Sequence, residues 1–181
     1  MAWTTPGTAV AGTLLTSSFW NEQVRDNLAN LRALANVQST FKEDVFTSAS
    51  VHDAFQDITG MSVSITPTAS TSKVLVAIST NLSASNAGAV HLMVRLLRGA
   101  TAIAVPTTAA GSFPSSFSFS QAANSYTSQI AFFFLDSPAT TSATTYKIQG
   151  RNSSNNTWYV NQRGDAATRQ TSSITVWEIP A

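Results

Sequence analysis

The chain has 181 residues, no cysteine and a net charge of +1, and only 10% of its residues are charged. This length fits one ordinary domain with a small appendage, and the lack of cysteine excludes disulfides and thiolate metal sites. The ten Lys and Arg residues are scattered along the chain, which argues against nucleic acid as a partner. A surface this poor in charge suits a protein that neighbouring subunits cover in an assembly.

The longest apolar runs, residues 130–135 and 74–78, have the length of a strand. A membrane-spanning helix needs about 18 apolar residues or more, so we expect no membrane insertion. The chain opens on Met1-Ala2-Trp3, without the basic and then apolar pattern of a signal peptide. We therefore expect synthesis in the cytoplasm without an export step.

Residues 1–15 contain proline and glycine among Thr and Ala and predict an extended arm. From Thr16 to Val37 the pattern changes to that of an amphipathic α-helix, which Thr16, Ser17 or Ser18 can cap. Its apolar stripe has spacings of four, three and four, which is also the seam of a short coiled coil. The residues assigned to this seam are Asn21, Val24, Leu28, Leu31 and Ala35.

Two interpretations of this helix are open. Its stripe can pack on the β-rich remainder of the same chain, or it can anchor the chain to other copies or to a larger assembly. Trp20 and Leu34 widen the apolar face beyond one small contact, which favours anchoring or trimerisation. Asn21 on the seam would then set the register, as a buried Asn does in coiled coils.

After Val37 the period of the pattern changes to two, which is typical of strands. About ten short runs with no helical pattern among them predict an antiparallel β-sandwich, and a two-sheet jelly roll suits this number of strands. We therefore divide the chain into an arm and helix, residues 1–40, and a β-sandwich head, residues 41–181. The predicted runs are 41–48, 61–65, 73–82, 90–97, 101–105, 113–119, 127–135, 144–149, 157–160 and 173–179.

Phe132, Phe133 and Phe134 are consecutive, so both faces of their strand are apolar. One face should point into the core. We expect the other face to be a subunit interface, because an exposed ladder of Phe side chains would invite aggregation.

The chain offers little for catalysis or metal binding. His91 would need a second ligand two or four residues on, and Met93 and Arg95 stand there. His52 lies in a polar turn and should be solvated. We expect no enzyme activity, no metal and no cofactor.

Two pairs of carboxylates come close in sequence, Glu43 with Asp44 and Asp53 with Asp57. A glycosidase needs two carboxyl groups about 5–9 Å apart in a groove. The first pair would point to opposite sides of a strand and the second flanks a turn. No glycine-rich phosphate loop is present either.

The best ligand candidate is the polar stretch from Asn152 to Asp165. Trp158 and Tyr159 could stack on a sugar ring, with Arg163 and Asp165 as polar partners, so that the loop contacts a cell-surface glycan. The alternative, which the alternation favours, places Trp158 in the core of a strand and makes the polar residues a simple turn.

The N-terminal order of motifs resembles that of small virion proteins of tailed bacteriophages. It consists of Trp3-Thr4-Thr5-Pro6, then Ala11-Gly12, then Leu15-Thr16, and then Arg25-Asp26-Asn27-Leu28. The family often has Asp or Glu three residues after the capping Thr. Phe19 stands there in this chain, so the reciprocal cap is missing.

The remainder resembles a β-domain of phage fibre and appendage proteins. The resemblance rests on segments 55–60, 63–67, 72–76, 96–101, 135–138, 145–149 and 173–179. It implies a homotrimeric jelly roll on the surface of a virion, bound through its N-terminal arm to other tail or capsid proteins. A fibre or spike tip that contacts the host surface and a capsid decoration, or cement, protein both fit. A free carbohydrate-binding module fits less well, because it would lack the arm.

Overall fold

The computed structural model describes residues 16–28, 31, 36–48, 54–85, 90–107 and 113–180. In these residues the chain is an antiparallel β-sandwich of two sheets, preceded by a short helical segment. The strands are β1 Val37–Lys42, β2 Phe46–Thr47, β3 Gln56–Ile65, β4 Lys73–Ala84, β5 Val90–Arg98, β6 Thr101–Ile103, β7 Phe117–Gln121, β8 Ser128–Asp136, β9 Thr144–Asn152, β10 Trp158–Val160 and β11 Ser172–Ile179.

The eight longer strands pair in the order of a jelly roll. Among them, the first pairs with the last, the second with the seventh, the third with the sixth and the fourth with the fifth. Two further pairings, β11 with β4 and β9 with β5, complete the sheets. Sheet A therefore contains β1-β11-β4-β8 and sheet B contains β3-β9-β5-β7, with β2, β6 and β10 as short additions. This confirms the expected fold class.

The core lies between the sheets and follows the two-residue period of the sequence. Every second residue of β4, β5 and β11 points inward and is buried. In β5 the four inward side chains have no exposed surface, as the alternation predicts. They are Val90, Leu92, Val94 and Leu96.

The helical segment is less regular than the sequence predicts, and Asn27, Leu28 and Leu31 also belong to it. An α-helix, α1, spans Ser17–Trp20, and a π-helical turn follows over Asn21–Asp26. Thr16 caps α1, since its hydroxyl accepts a hydrogen bond of 3.2 Å from the backbone N–H of Phe19. The expectation of a helix as far as Val37 is wrong, because Val37 begins β1 and pairs with Trp177.

The sandwich has two distinct ends. The chain enters sheet A at Asn36, beside the turns of residues 66–72 and 137–143, and we call this the entry end. The segments 122–127, 153–157 and 161–171 lie at the other end, which we call the far end. Strand β4 runs from one end to the other, and its 12 residues span about 36 Å.

Candidate assembly surface

The outer face of sheet A carries a row of apolar side chains across four neighbouring strands. The strand register aligns Val37 with Trp177, Trp177 with Leu75 and Leu75 with Leu135. Val37 is 39% exposed and Leu135 is 48% exposed, while Leu75 and Trp177 are half-buried. An apolar row of this kind on an outer sheet face is typical of a surface that a partner covers.

Phe133 extends this row on strand β8. It lies opposite Ala77 and is 73% exposed, whereas Phe132 and Phe134 point inward and pack against the core. Of the three consecutive phenylalanines, only Phe133 therefore belongs to the outer surface, and the assignment of Phe132 and Phe134 to an interface does not hold. We call Val37, Leu75, Phe133, Leu135 and Trp177 the outer apolar patch.

Strand β8 lies at a border of sheet A. In the part of the chain that the structure describes, its ladder pairs only with β4. At the opposite border of the sandwich, β1 is joined to β3, where the Thr40 hydroxyl donates to the carbonyl of Ser62 at 2.7 Å. A long apolar edge strand invites pairing with another chain. The outer apolar patch thus ends at an edge that favours association.

The helical segment also presents uncovered apolar side chains. Trp20, Leu28 and Leu31 are 56%, 54% and 49% exposed. Asn21 and Val24 are partly buried, and Ala35 lies outside the described residues. These exposures speak against the interpretation that the stripe packs fully on the β-sandwich of the same chain. The helical segment is available for a contact with another molecule.

Trp158 lies in the core and not on a ligand-binding surface. It has no exposed surface, and its ring lies 5.1 Å from that of Phe46, measured between ring centroids. Its ring also packs over Gly150, where a methyl group would overlap the Cη2 edge of the indole. The sugar-stacking role considered for Trp158 is therefore wrong in this structure.

The other residues of that stretch lie at the far end. Tyr159 is half-buried between Thr47 and Ser83 of the neighbouring strands. Arg163 donates to Asp165 twice, from Nε to Oδ1 and from Nη2 to Oδ2, at 2.6 Å each. These hydrogen bonds lower the pKa of the Asp165 carboxyl and raise that of the guanidinium. Arg163 and Asp165 thus form a bidentate ion pair.

The remaining titratable candidates do not converge on one site. His91 is exposed, and its Nδ1 lies 2.8 Å from the Ser120 hydroxyl. Asp57 accepts hydrogen bonds from Lys147 at 2.7 Å and from Gln149 at 2.6 Å, and the Lys147 ammonium is the main cause that lowers its pKa.

Asp44 pairs with the buried amine of Lys42 at 2.8 Å. His52 and Asp53 lie outside the described residues. Within the described ranges, no group of three or more His, Asp or Glu residues is placed to hold a metal ion. No helix in that part of the chain is long and apolar enough to cross a membrane.

The outer face of sheet B is polar, in contrast to that of sheet A. Arg95 donates from Nε to Gln149 at 2.8 Å, and its guanidinium lies 4.1 Å from the ring centroid of Phe55. The charges of Asp57 and Lys147 lie on the same face. The charged and polar outer face of sheet B thus differs from the apolar row on sheet A, and only the pairing of strands could reveal this difference.

Two buried carboxylates hold segments of the entry end together through hydrogen bonds, and we did not predict either of them from the sequence. Glu178 accepts hydrogen bonds from the Asn36 amide at 2.7 Å, and from the backbone N–H and hydroxyl of Thr68 at 2.8 and 2.6 Å. Asp136 is held by Arg98 and Tyr146. The alternation of β11 in the sequence places the side chain of Glu178 on the inward face, and this position could have identified it as a buried carboxylate.

No protein-family model matches the chain, and no curated protein matches it either. Among solved structures, the chain is similar to Eiger TNF from S. frugiperda, with 14% identity and a TM-score of 0.37 over 79% of this chain and 92% of that chain. It is also similar to the infectious bursal disease virus Gx strain structure, with 14% identity and a TM-score of 0.42 over 78% of this chain.

A VP2 subviral particle of infectious bursal disease virus gives 13% identity and a TM-score of 0.35 over 80% of this chain. The chain spans only 40% and 38% of these two viral chains. These neighbours are proteins from particles of one virus and a TNF. At such identities and TM-scores, the likeness carries no statement about function.

Proposed function

We propose that this chain is a non-enzymatic structural protein of a bacteriophage virion. In this proposal it is a homotrimeric, fibre-like or spike-like appendage that its N-terminal segment anchors. The observation that carries the proposal is the outer apolar patch, which ends at the edge of β8 that pairs with no other described strand. Burying apolar surface contributes about 25 cal/mol per Å², so contacts between copies through this patch stabilise an assembly.

The two ends of the sandwich support a fixed orientation in the particle. The chain enters the β-sandwich at Asn36, whose amide is held by Glu178 and by the carbonyl of Thr66 at 2.9 Å. The exposed Trp20, Leu28 and Leu31 precede this point in the chain. An anchor formed by the N-terminal segment therefore leads to the entry end, and the far end faces away from the point of attachment.

The virion setting rests on the resemblance of the N-terminal motifs, from Trp3 to Leu28, to those of small phage virion proteins. A capsid decoration protein is the second candidate, and the low share of charged residues, 10%, favours it. Such a surface suits a protein that lies among neighbours in a lattice. Of the two candidates, only the appendage predicts contact with a host-surface glycan.

The copy number of the chain in purified particles, measured by quantitative mass spectrometry, tests both candidates. The appendage predicts a few to a few dozen copies in multiples of three. The decoration protein predicts hundreds of copies. Absence of the chain from the particles would contradict both.

A further inference from the structure

Tyr126 is the most exposed tyrosine among the described residues at the far end, with 58% of its surface accessible. It lies between β7 and β8, in a turn that its own backbone N–H closes by donating to the carbonyl of Ala123 at 3.3 Å. A tyrosine ring offers a large, rigid contact area at low cost in conformational entropy. Tyr126 thus presents a flat apolar face with a polar tip to the outside.

Gly164 holds the loop of residues 161–170 against this turn. A methyl group at Gly164 would overlap the carbonyl of Ala84 and crowd that of Asn124, two residues before Tyr126. Only glycine allows so close an approach of two backbones. Arg163 and Asp165 therefore flank the point where the two loops meet.

The pair of Arg163 and Asp165 is held in one geometry. Besides its two hydrogen bonds from Arg163, Asp165 Oδ1 accepts one of 3.1 Å from the backbone N–H of Ala167. Within the described residues, the second amino group of Arg163, Nη1, has no hydrogen-bond partner. The pair is electrically neutral as a unit. It presents donors and acceptors side by side, which matches neighbouring hydroxyl groups of a sugar.

We propose that the far end binds neutral sugars, with Tyr126 as the stacking platform and with Arg163 and Asp165 as the hydrogen-bonding pair. The sugar ring lies on the phenol, and its hydroxyls accept from Arg163 and donate to Asp165. This inference deepens the proposed function, since it rests on the far end facing outward.

Saturation-transfer NMR of the full chain with neutral oligosaccharides tests this site. The probes are tetramers of glucose, mannose, galactose and N-acetylglucosamine at about 10 mM, which suits millimolar dissociation constants. We expect transfer to at least one of them, reduced about fivefold or more by Tyr126→Ala, as for a central aromatic contact. Arg163→Gln combined with Asp165→Asn should reduce it likewise. Phe117→Ala, which changes an exposed aromatic residue on sheet B, should leave it unchanged.

Three results would overturn the proposal. They are the absence of transfer to all four tetramers, equal transfer with Tyr126→Ala, and a preference for polygalacturonate. Binding to polygalacturonate would weaken steeply between about 50 and 500 mM salt, because salt screens exposed charges. Binding of a neutral sugar should not change over this range.

The mass of the recombinant protein in solution distinguishes a failure of the sugar site from a failure of the proposed assembly. Tyr126→Ala should leave the mass of the oligomer unchanged, since Tyr126 is distant from the outer apolar patch. A monomer that binds sugar would overturn the assembly and retain the site. A trimer that binds none of the tetramers would overturn the site and retain the assembly.

Discussion

The hydroxyl of Tyr146 donates a hydrogen bond of 2.7 Å to Oδ2 of Asp136 and so ties β9 of sheet B to β8 of sheet A. Tyr146 has no exposed surface and Asp136 is 6% exposed. Arg98 donates from Nη1 to both carboxylate oxygens of Asp136, at 3.0 and 2.9 Å. Burial of the phenol and its bond to Asp136 raise the pKa of Tyr146 far above its usual value. This bond closes the sandwich beside the outer apolar patch.

Tyr146→Phe should therefore lower the free energy of unfolding by about 2 kcal/mol, because a buried carboxylate loses one of its donors. Urea denaturation followed by tryptophan fluorescence measures this change. Tyr126→Phe is the matched control, and its exposed hydroxyl should contribute less than about 0.5 kcal/mol. Equal effects of the two substitutions would show that the bond to Asp136 does not stabilise the fold.

Glu178 predicts how stability depends on pH. Burial alone would raise its pKa, but hydrogen-bond donors around the carboxylate, with Thr68 and Asn36 among them, outweigh burial, so the pKa in the folded state lies below its usual value. Its contribution to stability is therefore complete above the pKa of the unfolded state, about 4.3, and is lost as the pH falls through the folded pKa.

Urea denaturation between pH 7 and pH 3 tests this dependence. Below about pH 4.3, the wild type should lose stability more steeply than Glu178→Gln, which cannot titrate. Identical slopes in the two proteins would contradict the role assigned to Glu178.

The contact between Gly150 and Trp158 predicts that substitutions at the two positions are coupled. Gly150→Ala should destabilise by about 1–3 kcal/mol, because the methyl group overlaps the indole ring. Trp158→Phe makes room at that position. The double variant should be more stable than the sum of the two single effects by about 1 kcal/mol or more. Additive effects in a double-mutant cycle would rule out the contact.

The exposed helical side chains give a prediction about attachment. Leu28→Asp combined with Leu31→Asp should weaken incorporation into particles while the β-sandwich unfolds at the same urea concentration. Exposed positions away from the core change stability by about 0.5 kcal/mol or less. Incorporation at the wild-type level, measured by mass spectrometry of purified particles, would reject an anchoring role for the helical segment.

The alternation of side chains was sufficient to predict a β-sandwich and the inward face of strands such as β5. Val90, Leu92, Val94 and Leu96 are buried because a strand on a sandwich has one inward face, and this is local information. The period also places Trp158 inward, although an aromatic residue in a polar stretch suggests a ligand site. Phe46, which packs against Trp158, is distant in sequence. The contact that distinguishes a core position from a ligand site therefore cannot be predicted from the local sequence.

The outer apolar patch could be predicted only in part. The run of Phe132, Phe133 and Phe134 indicates two apolar faces, but the sequence does not tell which residue points outward. The row from Val37 to Leu135 depends on the register of four strands that are far apart in sequence. The π-helical turn at Asn21–Asp26 was missed because helical periodicity does not distinguish it from an α-helix.

The solution mass of the recombinant chain and of Phe133→Asp tests most directly whether copies associate through the outer apolar patch. Analytical ultracentrifugation should give three times the mass of one chain for the wild type and for Tyr126→Asp, which places the same charge at the far end. Phe133→Asp should sediment as a folded monomer, because a carboxylate cannot be buried without a partner at low cost. A trimer of unchanged mass with Phe133→Asp, or a monomeric wild type, would contradict this assembly.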